Sequence, residues 1–153
     1  MAITIKKVST RRELEKFIRF NYRLYKTNPY SVPDLFDDML NTFNKKKNAA
    51  FEFCEADYFL AYRGNEIVGR VAAIINHKAN QTWNKKEVRF GWIDFIDDTE
   101  VSETLMRTVE QWGKERGMTH IQGPLGFTDF DAEGLLIEGF DQLSTMATIY
   151  NHP

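Results

Sequence analysis

The chain has 153 residues, 42% of them apolar and 27% charged, with a formal net charge of −2; this suits one domain with a substantial core and excludes a disordered tail or a general polyanion binder. Cys54 is the only cysteine, which excludes an intrachain disulfide, and Met1 to Val8 is too short and too charged for a secretory signal. The most apolar run, Ile67 to Ile75, is interrupted by Arg70 and falls short of a membrane span, so a cytoplasmic soluble protein with no nucleic-acid or membrane partner is expected.

Ile3 to Val8 alternates as a short strand. Thr10 and Glu13 form a capping-box pattern ahead of a helix carrying Leu14, Phe17, Ile18, Leu24 and Tyr25, which stops before Asn28-Pro29. A second helix is expected to start near Pro33-Asp34, because Leu35, Phe36, Met39, Leu40 and Phe43 repeat with helical spacing. Tyr58 to Tyr62 and Ile67 to Ile75, joined by Arg63-Gly64-Asn65-Glu66, predict a β-hairpin. Asn76 to Lys86 is polar and aperiodic, hence a loop, with Trp83 as its anchor. Glu87 to Ile96 is rich in strand formers. Thr99 to Arg116 predicts a helix with Val101, Leu105, Val109 and Trp112 as its buried stripe and Gly117 as its stop. Met118 to Gln122 is a further strand ending at Gly123-Pro124. Beyond it, 127–134 reads as a loop, 135–140 as a short element and 144–150 as a last strand.

This order, together with Gly64-Asn65-Glu66-Ile67-Val68-Gly69-Arg70 and a long helix ending in Glu115-Arg116-Gly117-Met118, resembles the GNAT superfamily of acyl-CoA-dependent N-acetyltransferases over about Ile3 to Gly123. The stretch from Gln122 to Leu136, with Glu138-Gly139-Phe140 and Asn151-His152-Pro153, is similar to a bacterial branch of about twice this length. The resemblance implies an α/β (α+β) fold: a mixed, mostly antiparallel sheet flanked by helices, forming a single domain over 1–153 whose last elements lie beyond Pro153. It also implies acetyl-CoA as donor, with the backbone of Ile93, Asp94 and Phe95 bonding the pantetheine arm.

Where the family seats the cofactor pyrophosphate with an Arg/Gln-x-x-Gly-x-Gly/Ala loop, this chain has Asp97, Asp98, Glu100 and Ser102. A free helix N-terminus attracts phosphate, and carboxylates at that point repel it. The same residues suit a helix start, with Asp98 or Thr99 as N-cap and Glu100 in the first turn. The family's acid is a tyrosine in Tyr-x-x-x-Gly-Phe; Gly139-Phe140 occurs here, but the matching position is Leu135.

Asp129, Asp131 and Glu133 form an acidic lip suited to attracting an amine acceptor; they also make half of a calcium loop, whose twelfth position is Phe140 rather than a glutamate. His77, His120 and His152 share no metal-ligand spacing, so no metal is expected; His77 reads as solvated and His120 as a half-buried sheet residue. Cys54 lacks a basic neighbour and reads as an inert thiol. Lys45-Lys46-Lys47 and Lys85-Lys86 read as solvated loops. Two functions remain open. One is an acyl-CoA-dependent N-acetyltransferase-like domain with a degenerate pyrophosphate loop. The other is a non-catalytic domain for binding or assembly, with an exposed sheet edge that would pair copies.

Overall fold

The computed structural model describes residues 1–145 and 148–153. Five strands form one sheet in sequence order: β1 (Ile3–Lys7), β2 (Cys54–Arg63), β3 (Glu66–Asn76), β4 (Glu87–Phe95) and β5 (His120–Gln122). The first three junctions are antiparallel and β4–β5 is parallel. Helices α1 (Arg11–Leu24) and α2 (Phe36–Thr42) join β1 to β2, α3 (His77–Thr82) joins β3 to β4, and α4 (Thr99–Lys114) joins β4 to β5. This is the mixed α+β architecture the sequence implies.

Period-two alternation sorts the strands onto two cores. Ala56, Tyr58, Leu60, Ala72 and Ile74 face α1 and α2, where they meet Phe17, Ile18 and Phe43. Phe59, Ala61, Val71, Ala73 and Ile75 face α4 and meet Val101, Leu105, Val109 and Trp112, the stripe its spacing predicts. The Gly113 backbone sits so close to β4 that a Cβ there would lie 2.6 Å from the Val88 side chain.

Helix starts are built as expected at two places. Thr10 accepts from the Glu13 amide while Glu13 returns to Thr10, completing the capping box of α1. Asp98 caps α4 through the Glu100 amide at 2.9 Å, and Gly117 ends its last turn at φ +77.

Six expectations need correction. Residues 77–82 form a short helix rather than a loop, because the Asn76 side chain accepts from the Ala79 amide and caps it. Trp83 anchors nothing, being largely exposed, and His120 is exposed because β5 is an edge strand. Helix α2 starts at Phe36 behind Leu35, which has no capping side chain. In the tail, 135–140 has no regular element, and the described residues of 144–150 are not in a strand; Met146 and Ala147 of that stretch lie outside the described residues.

The tail is nonetheless tied down by specific bonds. Leu125 donates to Phe90 O, and Phe127 is fully buried against Phe51 and Trp92. Asn151 pairs both ways with the Leu136 backbone, and Tyr150 donates to Phe140 O at 2.6 Å. No described helix is long and apolar enough to cross a membrane.

Candidate functional site

Strand β4 is bulged. Ala72 faces Gly91 and Arg70 faces Asp94, so Trp92 and Ile93 together oppose a single residue of β3. Trp92 takes φ +44, an uncommon conformation for a bulky residue, and its ring is held edge-on to Phe43. The bulge re-aims β4 so that Asp94 points to the α1–α2 side, beside Arg70 of β3.

Arg70 and Asp94 are both buried, and each would be costly alone. Arg70 Nε and Nη2 reach Asp94 Oδ2 at 2.8 and 2.7 Å, while Nη1 donates to Phe17 O at 3.0 Å. Two groups of α1 and its cap complete the set: Asn21 Nδ2 donates to Asp94 Oδ2 at 3.2 Å, and Tyr25 Oη donates to Oδ1 at 3.0 Å. Burial, reinforced by the Asp94 charge, pushes the Tyr25 phenol well above its ordinary range, so it stays a donor. On its outer side the Tyr25 ring stacks on His152 at 4.7 Å, and Asn28 bonds Tyr150, so the tail closes over this corner.

A cleft of about 120 Å³ opens against this pair, lined by Arg70, Trp92, Ile93, Asp94, Asn21 and Asp34 with tail residues as its roof. Asp34 is exposed at the mouth of the cleft, and the partial loss of solvent around its carboxyl, with Asp94 nearby, raises its proton affinity against a lowering effect of Arg70. The cleft therefore sets two carboxylates and one guanidinium around a small polar space.

On the other flank of β4, strand β5 ends at Gln122, opposite Arg89, and the chain turns through a cis Gly123–Pro124 bond. Leu125 bonds Phe90, and among the described residues no strand pairs with Ile93 to Phe95 on that side. The close approach of the returning chain requires glycine at 91, where a Cβ would lie 2.5 Å from Leu125 O.

The start of α4 offers a phosphate little. The amides of Glu100, Val101 and Ser102 all bond Asp98, through its side chain or its carbonyl. Arg63, from the hairpin, binds Asp98 at 2.7 Å and Glu100 at 3.4 Å. Its hydrogen bond holds the Asp98 carboxyl below the usual carboxylate range.

Of the sequence-predicted site residues, Ile93 and Asp94 line the cleft and Phe95 lies just beyond, paired with Gly69. Asp131 lines the groove outside the cleft and accepts from the Thr128 amide, whereas exposed Asp129 and Glu133 are not brought to it. Among the described residues no three His, Cys, Asp or Glu are grouped to hold a metal. Cys54 is buried and its thiol is pushed up to about 11, so it is a poor nucleophile. Sequence reading missed the roles of Arg70, Asn21, Tyr25 and Asp34. The available signal was a charge in the middle of each of two apolar strands, Arg70 and Asp94, which a paired sheet has to bring together.

No family model matches the chain. It is 36% identical over 135 residues to the bacterial ceramide synthase of Caulobacter vibrioides, an alignment covering 88% of this chain and 35% of that protein. It is 35% identical over 129 residues to protein YghO of Escherichia coli, covering 84% of this chain and 33% of that one. The chain thus spans about a third of the length of these relatives. Among solved structures, a tandem GNAT protein from the clavulanic acid biosynthesis pathway superposes with a TM-score of 0.61 at 11% identity, over 78% of this chain and 35% of that one. An aminoglycoside acetyltransferase from an uncultured soil metagenomic sample, solved with sisomicin, gives 0.55 at 17% identity over 78% and 75%. A predicted acetyltransferase of Clostridium acetobutylicum, solved with acetyl-CoA, gives 0.53 at 13% identity over 81% of each chain. The strand order, the bulged β4 and these superpositions together give the chain the fold of the GNAT acetyltransferases.

Proposed function

We propose that this chain is the GNAT-fold part of an N-acyltransferase that takes its acyl group from a CoA thioester and its amine from a long-chain amino alcohol. The observation that carries this reading is the cleft at the β4 bulge. Among the described residues one flank of Ile93 to Phe95 has no strand partner, and the other side presents Asp94 and Asp34 to an amine. The likeness to a ceramide synthase supplies the acceptor class, since a ceramide is the amide of such an amino alcohol.

The donor fits this site in part. The flank of Ile93 to Phe95 turned away from β3 suits the amide-bearing pantetheine arm, whereas the α4 start, closed by Asp98, Glu100 and Arg63, does not suit a diphosphate. When bound, the thioester supplies the acyl carbon and the thiol leaving group. The neutral amine nitrogen bonds that carbon, the C–S bond breaks to release the thiolate, and the nitrogen's proton passes through a base to that sulfur, giving the free thiol. Asp34, with its raised proton affinity, is the group we assign to accept it, while Asp94 and Arg70 fix the polar head. Acidic Asp131 adds attraction at the entrance.

The test is incubation of the protein with palmitoyl-CoA and sphinganine, following the amide by mass spectrometry and free thiol colorimetrically. Amide and thiol should rise together, and Asp34→Asn should lower kcat by about 10²-fold or more. Neither product above the protein-free blank would overturn the reading.

The closed phosphate seat favours a second reading, a domain that keeps the fold without turnover and assembles through the edge strands β1 or β5. A monomeric mass in solution together with amide formation would remove it.

A further inference from the structure

The described large apolar side chains left exposed are not scattered over the surface. Six of the nine, Val32, Leu35, Phe130, Leu135, Ile137 and Leu143, belong to two segments, 31–36 and 127–143, that flank the cleft. Phe130 is 95% exposed and Val32 71%, although both chain segments are fixed by neighbouring bonds: Asp131 to Thr128, Tyr22 to Asp34. A large aromatic held out in water by an ordered loop marks a surface with a partner.

The two segments enclose an outer groove of about 500 Å³ with an apolar wall of Val32, Pro33, Met39, Trp92 and Phe130 and a polar wall that includes Asp131, Ser144, Thr145 and Thr148. This groove is continuous with the inner cleft, because Val32, Asp34 and Trp92 line both, and Leu135 stands at the inner opening. The apolar wall thus leads into a polar end whose described lining carries Asp34 and Asp94 with the single cation Arg70. A continuous apolar wall ending in excess negative charge is complementary to an amphiphile with an aliphatic chain and a cationic head.

We propose that the groove formed by Val32, Met39, Trp92 and Phe130 is a hydrocarbon-chain site, which seats the tail of the acceptor amine while its ammonium head lies against Asp34. The assignment rests on the acyl-transfer reading above for its direction, head inward and tail outward, and adds the seat that selects for chain length. A chain crossing these walls gains with each methylene it buries, about fourfold in affinity at full coverage and about twofold at half coverage.

The experiment is calorimetric titration of the protein with n-alkylamines from hexyl to dodecyl, each below its aggregation concentration, beside acylation assays on the same series. Affinity is expected to rise about two- to fourfold per methylene. Phe130→Ser with Val32→Ser should flatten that rise; both side chains are exposed, and circular dichroism checks that the fold is kept. An affinity independent of chain length, or a rise that survives both substitutions, overturns the site. So does a dimer that dissociates on Phe130→Ser, since a second copy would then be the groove's occupant. A rise with no amide product leaves the chain site standing and removes the acyl-transfer reading. Amide formation with no rise does the reverse.

Discussion

The start of α4 and the bulge of β4 are both acidic, and each acidic group has an arginine from the neighbouring hairpin strands, yet they use these parts in opposite ways. At α4, Asp98 accepts from its own helix, and Arg63 bridges Asp98 and Glu100 at the surface. Asp98 and Glu100 find their partners within a turn of chain or across one hairpin, which leaves little for an anionic ligand. At the bulge, Asp94 and Arg70 are buried, and Asp94 draws donors from β3, α1 and the α1 cap, yet the pair still fronts a cleft. Local satisfaction makes a helix start; long-range satisfaction makes a rigid, pre-set polar floor.

The largest expected effect separates the two on stability. Asp94→Ala leaves Arg70 buried without its counter-ion and should cost about 3–5 kcal/mol in urea unfolding. Arg70→Met combined with Asp94→Leu should recover most of that loss, because neither desolvated charge remains. Arg63→Ala at the surface should shift the midpoint far less. If the three variants unfold alike, the contrast between the regions is wrong.

A second experiment attacks the phosphate seat. Palmitoyl-CoA and palmitoyl-pantetheine should bind the natural chain with similar affinity, since at α4 the Glu100, Val101 and Ser102 amides are taken by Asp98 and the diphosphate would face carboxylates. Replacing Asp98 by Ser and Glu100 by Gly frees Arg63 and removes two carboxylates, which should favour the CoA form by roughly five- to tenfold per charge removed. A natural chain that already prefers palmitoyl-CoA strongly would show that the seat works as it stands.

The two regions also differ in how well the sequence announces them. The α4 start was legible down to Asp98 or Thr99 as cap, of which the structure uses Asp98, because capping chemistry, helical period and the Gly117 stop all lie within one element. The hairpin and the two core stripes were legible for the same reason. The cleft was not. Asp94 and Arg70 lie 24 residues apart, and the bulge that brings them to one face has no local signature beyond Trp92 in a conformation its side chain disfavours. Helix α3 escaped because six residues are too few for a period. The tail escaped because bonds such as Asn151 with Leu136, not an apolar repeat, hold it.

The smallest effect is the one that most cleanly opposes the two regions: their response to acid. Arg63's hydrogen bond holds Asp98 below its ordinary 3.8, so Asp98 contributes stability that is full above that value and is lost as pH falls through its lower folded value. Asp34 is raised above 3.8 by its partial loss of solvent, so the folded state binds its proton more tightly than the unfolded chain does. Its contribution is greatest in acid and declines as pH rises from 3.8 through the higher folded value. Asp98→Asn should therefore flatten the acid side of the stability curve, and Asp34→Asn should remove a decline on the side above 3.8. Chemical unfolding at half-unit pH steps reads both. If Asp34→Asn moves the curve in the same direction as Asp98→Asn, the cleft does not hold Asp34 in the poorly solvated state that its assignment as proton acceptor requires.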